Sequence, residues 1–276
     1  MTVLMSVAEL KSALNNPKLV LLDASMVAPL PGVSNDMQQG AIPGALRFDL
    51  EQVFVDAQNS LPHTMPDAQL FQKEARKLGI NRDSEIVIYD NMGLYSSPRA
   101  WWMFRAMGHL KVKLLNGGLP AWKATGEAIS ELSTAEKEGD FVALPHSQCF
   151  ISAPEIVSVL HSQQFRILDA RSAPRFNGEE DEPRKGVRSG HMPGASCLHF
   201  RSLVESGKLK PTEALKAAFS DLGVTTQHTL VMTCGSGITA CILALAAHES
   251  GFANIRVYDG SWSEWGADKS LPLETL

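Results

Sequence analysis

The sequence predicts an α/β protein built from two tandem domains, each an open, mostly parallel sheet with helices on both faces. Two observations carry this prediction. Short, continuously apolar runs, 86–89, 112–115, 167–168, 230–232 and 255–258, alternate with longer helical patterns. They are too short for helices and too uniformly apolar for strands with one wet face, so they read as parallel strands covered on both sides. The second observation is an internal repeat. Leu-Leu-Asp-Ala ending at Ala24 recurs as Ile-Leu-Asp-Ala ending at Ala170, and Gly40-Ala-Ile-Pro-Gly-Ala45 recurs as Gly190-His-Met-Pro-Gly-Ala195. Leu78-Gly79 recurs as Leu222-Gly223, 86–90 as 230–234, and Asn116-Gly117 with Trp122 as Asp259-Gly260 with Trp265. Landmarks in the same order divide the chain into domains at 1–125 and 151–276. The polar, charged stretch 126–150 reads as a linker.

Taken in order, the N-terminal residues read as an amphipathic first helix, without the basic segment and apolar core of a secretory signal. Residues 68–78 form a helical pattern that stops at Gly79, as a C-terminal glycine would end it. In the second half, 229–233 reads as a buried strand and 240–247, Ala-Cys-Ile-Leu-Ala-Leu-Ala-Ala, as a helix with little polar surface. Between them lies Cys234-Gly235-Ser236-Gly237-Ile238-Thr239. Ligands of open α/β sheets bind beyond the carboxyl ends of the strands, which is where Cys234 falls.

The bulk properties remove several function classes. With 276 residues, a net charge of -5 and a pI near 5.9, the chain has no general attraction for nucleic acid or acidic membranes. No run approaches the roughly 18 apolar residues of a membrane span. Cys149, Cys197, Cys234 and Cys241 have no paired spacing suited to zinc or to a disulfide framework, so a reducing cytoplasm is expected.

Two glycines and a serine after Cys234 let the backbone curl and aim NH groups inward, and such groups at a helix start stabilise a thiolate. Locally, Cys234 reads equally well as a nucleophile or as one more buried small residue. Cys241 reads as core. A second feature is the run from Arg175 to Arg184, with Lys185 and Arg188 behind it, which follows the strand ending at Asp169 and so falls on the same rim as Cys234. Arginines there can capture a carboxylate or a sulfo-oxyanion bidentately, or can simply pair with Glu179, Glu180, Asp181 and Glu182 in a solvated loop. The repeat aligns Cys234 with Asp90, which has no thiol chemistry, so the first domain is expected to be catalytically silent. A cysteine phosphatase needs an arginine where this chain has Ala240. A binding module without chemistry would leave Cys234 no more reactive than a free thiol. Trp101, Trp102, Trp262 and Trp265 read as packing anchors.

The repeat, the Cys234–Ala240 loop, Tyr258-Asp-Gly-Ser-Trp-Ser-Glu-Trp265 and Ser97-Pro-Arg-Ala-Trp-Trp-Met-Phe104 together resemble the two-domain rhodanese family, over nearly the whole chain. The resemblance is nearest to the family's 3-mercaptopyruvate sulfurtransferases. It implies two rhodanese-like domains and a Cys234 persulfide that passes sulfur from 3-mercaptopyruvate to cyanide, a small thiol or a thioredoxin-like protein. Pyruvate is released, with no metal or organic cofactor. Arg175 and Arg184 are implied to hold the donor, Gly235, Gly237, Ile238 and Thr239 to line its cradle, and Ser236 to handle a proton. The neutral residues after Cys234 favour a carboxylate-bearing donor. The alternative is a thiosulfate:cyanide sulfurtransferase. The resemblance also implies a histidine in the first Gly-His-Ile-Pro-Gly-Ala motif, where this chain has Ala41, so the Ser, His, Asp relay is expected to lack its histidine. His191 is expected to shape a turn. His63, in Leu-Pro-His-Thr-Met-Pro, is the one substitute considered, though a histidine between prolines is ordinarily structural or exposed.

Overall fold

The computed structural model describes residues 2–27 and 40–276. They form two compact units: 2–27, 40–57, 65–146 and 206–209 in the first, and 58–64, 147–205 and 210–276 in the second. The stretch expected as a linker is divided between them, with 126–146 in the first unit and 147–150 in the second. The segment 58–64, which includes His63, belongs to the second unit.

The first unit contains β1 (Leu4–Met5), α1 (Val7–Ala13), β2 (Leu19–Asp23), β3 (Leu46–Arg47), α2 (Ala68–Lys77), β4 (Glu85–Tyr89), α3 (Ser97–Ala106), β5 (Val112–Leu115) and α4 (Gly118–Ala124). The amphipathic start is α1, entered through a capping box in which Ser6 and Glu9 satisfy each other's amides. The second unit contains β6 (Phe150–Ile151), α5 (Ala153–Val159), β7 (Phe165–Asp169), α6 (Ala173–Asn177), β8 (Ser196–Cys197), α7 (Thr212–Ser220), β11 (Thr229–Thr233), α8 (Ala240–Glu249), β12 (Ile255–Tyr258) and α9 (Ser261–Trp265). Two short strands remain, β9 (Val204–Glu205) and β10 (Lys208–Leu209).

Each unit has a five-stranded sheet, in the orders β1-β5-β4-β2-β3 and β6-β12-β11-β7-β8, and every pairing in both is parallel. The two orders correspond strand for strand, as the repeat requires. The continuous apolar runs follow from this burial: Leu230 to Met232 and Ile86 to Ile88 are at most 2% exposed. Helix α8 is buried from Ala240 to Ala247, which explains its lack of a polar face. The tryptophans are core residues, with Trp101, Trp262 and Trp265 fully buried and Trp102 4% exposed.

Register positions the chemistry. Thr233 at the end of β11 pairs with Asp169 at the end of β7, so the chain leaves both strands side by side at the same edge. Cys234 follows the first strand and Arg171 the second.

In the first unit the matching loop closes on its own carboxylate. Asp90 is fully buried; its Oδ2 accepts from the amides of Tyr95, Ser96 and Ser97 at 2.8, 3.0 and 2.8 Å and from the Ser97 hydroxyl at 2.6 Å, and its Oδ1 accepts from the Met92 amide at 2.9 Å. The start of α3 surrounds that carboxylate with donors. Asp90→Ala strands those buried donors and is expected to destabilise the first unit by about 3 kcal/mol or more in denaturant titrations. A loss below about 1 kcal/mol would show that the carboxylate does not hold the loop.

Candidate active site

Cys234 is 2% exposed and sits between β11 and α8. Its Sγ accepts from the Gly237 amide at 3.2 Å, and Gly237 takes a φ of 80°, a turn open to glycine without strain. The loop is tied from the opposite side by the start of α9. The Cys234 amide donates to Ser261 Oγ at 3.3 Å and its carbonyl accepts from Trp262 N at 2.8 Å. The Gly235 carbonyl accepts from Ser263 N at 3.0 Å and from Ser263 Oγ at 2.5 Å. Ser261 adopts a φ of 48°, uncommon for a serine, where the first unit has Gly118 at 53°. The strain is retained at the one position whose hydroxyl reaches the cysteine amide, the pattern expected of a functional site.

Among the described residues, the amides of Ser236, Ile238 and Thr239 donate to no protein group. Ser236 and Thr239 match Met92 and Tyr95 of the first unit, whose amides hold the Asp90 carboxylate. The Thr239 side chain does not cap α8, and the Ile238 side chain is 3% exposed. Cys241 Sγ donates to the Gly237 carbonyl at 3.3 Å, a packing role for a fully buried thiol.

Arg175 and Arg184 both reach this loop. A methyl group placed on Gly235 would lie 3.4 Å from Arg175 Nη2 and 3.9 Å from Arg184 Nη1. Only one of the two is paired. Arg175 donates to Glu182 through Nε at 3.1 Å and Nη2 at 2.5 Å, whereas Arg184 has no acidic partner among the described residues. Of the four acids expected to neutralise the arginines, Glu182 is the one that pairs with Arg175. Arg188 is a structural clamp, donating to the carbonyls of Trp265, Gly266, Asp268 and Leu271.

The expectation that Ser236 has no histidine beside it is corrected by the position of His63. Its Nδ1 lies 3.1 Å from Ser236 Oγ, with His63 held at a φ of 59°, a left-handed conformation in which histidine is enriched. Ala41 is buried in the first unit and exchanges backbone hydrogen bonds with Ser130. His191 shapes a turn as expected, stacking on Phe176 at 3.8 Å and bonding the Phe176 carbonyl at 2.8 Å through Nδ1. Sequence reasoning passed over Arg171, Ser261 and Ser263, and named Glu182 only as one of four acids that could pair with the arginines. The signal for Arg171 was its place two residues after Asp169, at the mouth of a parallel strand.

The chain belongs to the rhodanese family. The Rhodanese-like domain matches residues 6–125 and 152–268. The chain is 39% identical over 266 residues to the 3-mercaptopyruvate sulfurtransferase of Escherichia coli O157:H7, covering 95% of this chain and 94% of that one. It is 38% identical over 252 residues to the human 3-mercaptopyruvate sulfurtransferase, covering 90% and 84%. The solved structure of the 3-mercaptopyruvate sulfotransferase SseA from Escherichia coli superposes with a TM-score of 0.85 at 35% identity, covering 95% of this chain and 99% of that one. No described helix is long and apolar enough to cross a membrane.

Cys197 is a poor nucleophile. Burial first, and then the Asp169 charge, push its thiol up to about 11. At pH 8 it is expected to react with iodoacetamide about a hundredfold more slowly than an exposed thiol, accelerating about tenfold per pH unit, as read by peptide mass mapping. Rapid labelling of Cys197 at pH 8 would contradict this.

Proposed function

We propose that the protein is a sulfurtransferase that takes sulfur from 3-mercaptopyruvate onto Cys234 and passes it to a thiol, cyanide or a thioredoxin-like protein. The observation that carries this reading is the Cys234 loop, in which the free amides of Ser236 and Thr239 correspond to two that hold a carboxylate in the first unit. Beside them stands Arg184, which has no acidic partner among the described residues. A thiol placed there meets donors arranged for a negative charge.

Arg184 and the free edge of Arg175 bind the donor's carboxylate. The Cys234 thiolate attacks the donor's thiol sulfur, forming the S–S bond as the C–S bond breaks and its electron pair moves into the enolate of pyruvate. The donor's thiol proton is the proton the enolate carbon needs, and Ser236 with His63 moves it. A persulfide anion then remains on Cys234, held by the amides of Ser236, Ile238 and Thr239. The acceptor takes the outer sulfur and regenerates the thiolate, so turnover is ping-pong. The first domain, with Asp90 in place of a cysteine, is silent. None of these steps needs a metal or an organic cofactor.

The relatives named 3-mercaptopyruvate sulfurtransferase support this donor. Thiosulfate is the second reading, since an Arabidopsis thaliana relative, 37% identical, is named for both donors. The four free thiols suit a reducing compartment, the cytoplasm.

Incubation with 3-mercaptopyruvate is expected to add one sulfur atom to the intact protein. Persistence of that gain in Cys234→Ala would exclude the assignment. Arg175→Ala and Arg184→Ala are each expected to raise KM for 3-mercaptopyruvate roughly ten- to a hundredfold, and far more than for thiosulfate. Equal effects on both donors would remove the carboxylate role. His63→Ala is expected to lower kcat with 3-mercaptopyruvate about a hundredfold with little change in KM. An unchanged kcat would leave Ser236 without a proton partner.

A further inference from the structure

The pairing of Arg175 changes the charge that a donor meets. Glu182 is buried, its side chain 4% exposed, and it lies between two guanidinium groups. Arg171 Nη1 donates to Oε1 at 2.8 Å, while Arg175 donates to Oε1 and Oε2 at 3.1 and 2.5 Å. Arg171 is itself buried, its side chain 1% exposed, and is pinned elsewhere. Its Nε and Nη2 donate to both oxygens of Asp169, Nη2 also donates to the Gly190 carbonyl at 2.7 Å, and its guanidinium lies 4.2 Å over the Trp262 ring. Glu182 therefore cannot swing away without leaving buried charge uncompensated.

The formal charges of Asp169, Arg171, Glu182 and Arg175 cancel. Arg184 alone is left over, so these groups present one net positive charge at the loop. Glu182 also takes the Nε edge of Arg175 and leaves its outer edge for a ligand. A donor with one negative charge is matched by this arrangement. One with two carries an excess negative charge toward the buried Glu182 carboxylate, in surroundings where water screens it less than in bulk.

We propose that Glu182 is a specificity-determining residue that selects singly charged over doubly charged sulfur donors. The inference rests on the sulfurtransferase reading of the same site and adds to it the reason for the donor's charge. It is separable from the keto-acid question, because charge can be varied on donors that contain no keto acid. Thiosulfate is a dianion and methanethiosulfonate a monoanion, and both offer the same sulfane sulfur. In each case the Cys234 thiolate forms an S–S bond to that sulfur as its bond to the oxidised sulfur breaks. The leaving group is sulfite in the first case and methanesulfinate in the second, and neither reaction needs an added oxidant or reductant.

The test measures kcat/KM for both donors with cyanide as acceptor. The unsubstituted protein is expected to use methanethiosulfonate more efficiently than thiosulfate. Glu182→Gln keeps the shape and removes the charge, and is expected to raise the ratio of thiosulfate to methanethiosulfonate about tenfold. Glu182→Asp keeps the charge, and is expected to hold that ratio within about twofold even where both rates fall. Thermal melting confirms that each variant is folded, and the unsubstituted protein decides alone if Glu182→Gln is not. An unsubstituted protein that prefers thiosulfate, a ratio unmoved in Glu182→Gln, or an equal shift in both variants overturns the proposal. Release of pyruvate from 3-mercaptopyruvate by the unsubstituted protein, measured in parallel, reports on the sulfurtransferase reading separately.

Discussion

The second unit's site depends on a guanidinium that water scarcely reaches. Arg171 is held by Asp169 at the end of β7, rests on the Trp262 ring and fixes Glu182, which in turn orients Arg175 toward the Cys234 loop. Burying such a charge is costly, and it persists only because nearly every donor is used. The network also connects three parts of the chain. β7 supplies Asp169, the arginine-rich segment supplies Glu182 and Arg175, and α9 supplies Trp262 together with the serines that tie the loop.

The two units show what one scaffold does with two different residues at the same place. The strand-to-helix turn collects amides, and a negative group is the natural occupant of such a turn. In the first unit the occupant is the side chain of Asp90, which satisfies the amides permanently. In the second it is a short thiol that leaves several amides unused. The contrast between Gly118 and Ser261 follows the same line: the silent loop adopts its left-handed turn with a glycine, whereas the cysteine loop keeps a strained serine whose hydroxyl it uses.

Much of the architecture was legible in order and period. The continuous apolar strands, the repeat and the glycine after α2 each reflect a local rule, and Cys234 between a buried strand and a buried helix was visible from the same rules. The pairing of charges was not, because Arg175 has four acids within seven residues and only the fold chooses Glu182. His63 was obscured for a similar reason. Nothing local to Leu-Pro-His-Thr-Met-Pro shows that the segment 58–64 packs with the second unit, 173 positions away from Ser236.

The sequence by itself therefore determined the α/β class and the two copies, since these rest on hydrophobic period and spacing, whereas Cys234 and the arginines each kept two readings until the family resemblance favoured the chemical one. Only the tertiary structure decided which acid pairs with Arg175, which histidine meets Ser236 and, among the described residues, which amides stay free around Cys234. Those outcomes depend on contacts between segments far apart in the chain, and long-range contacts leave no periodic trace in the residues that make them.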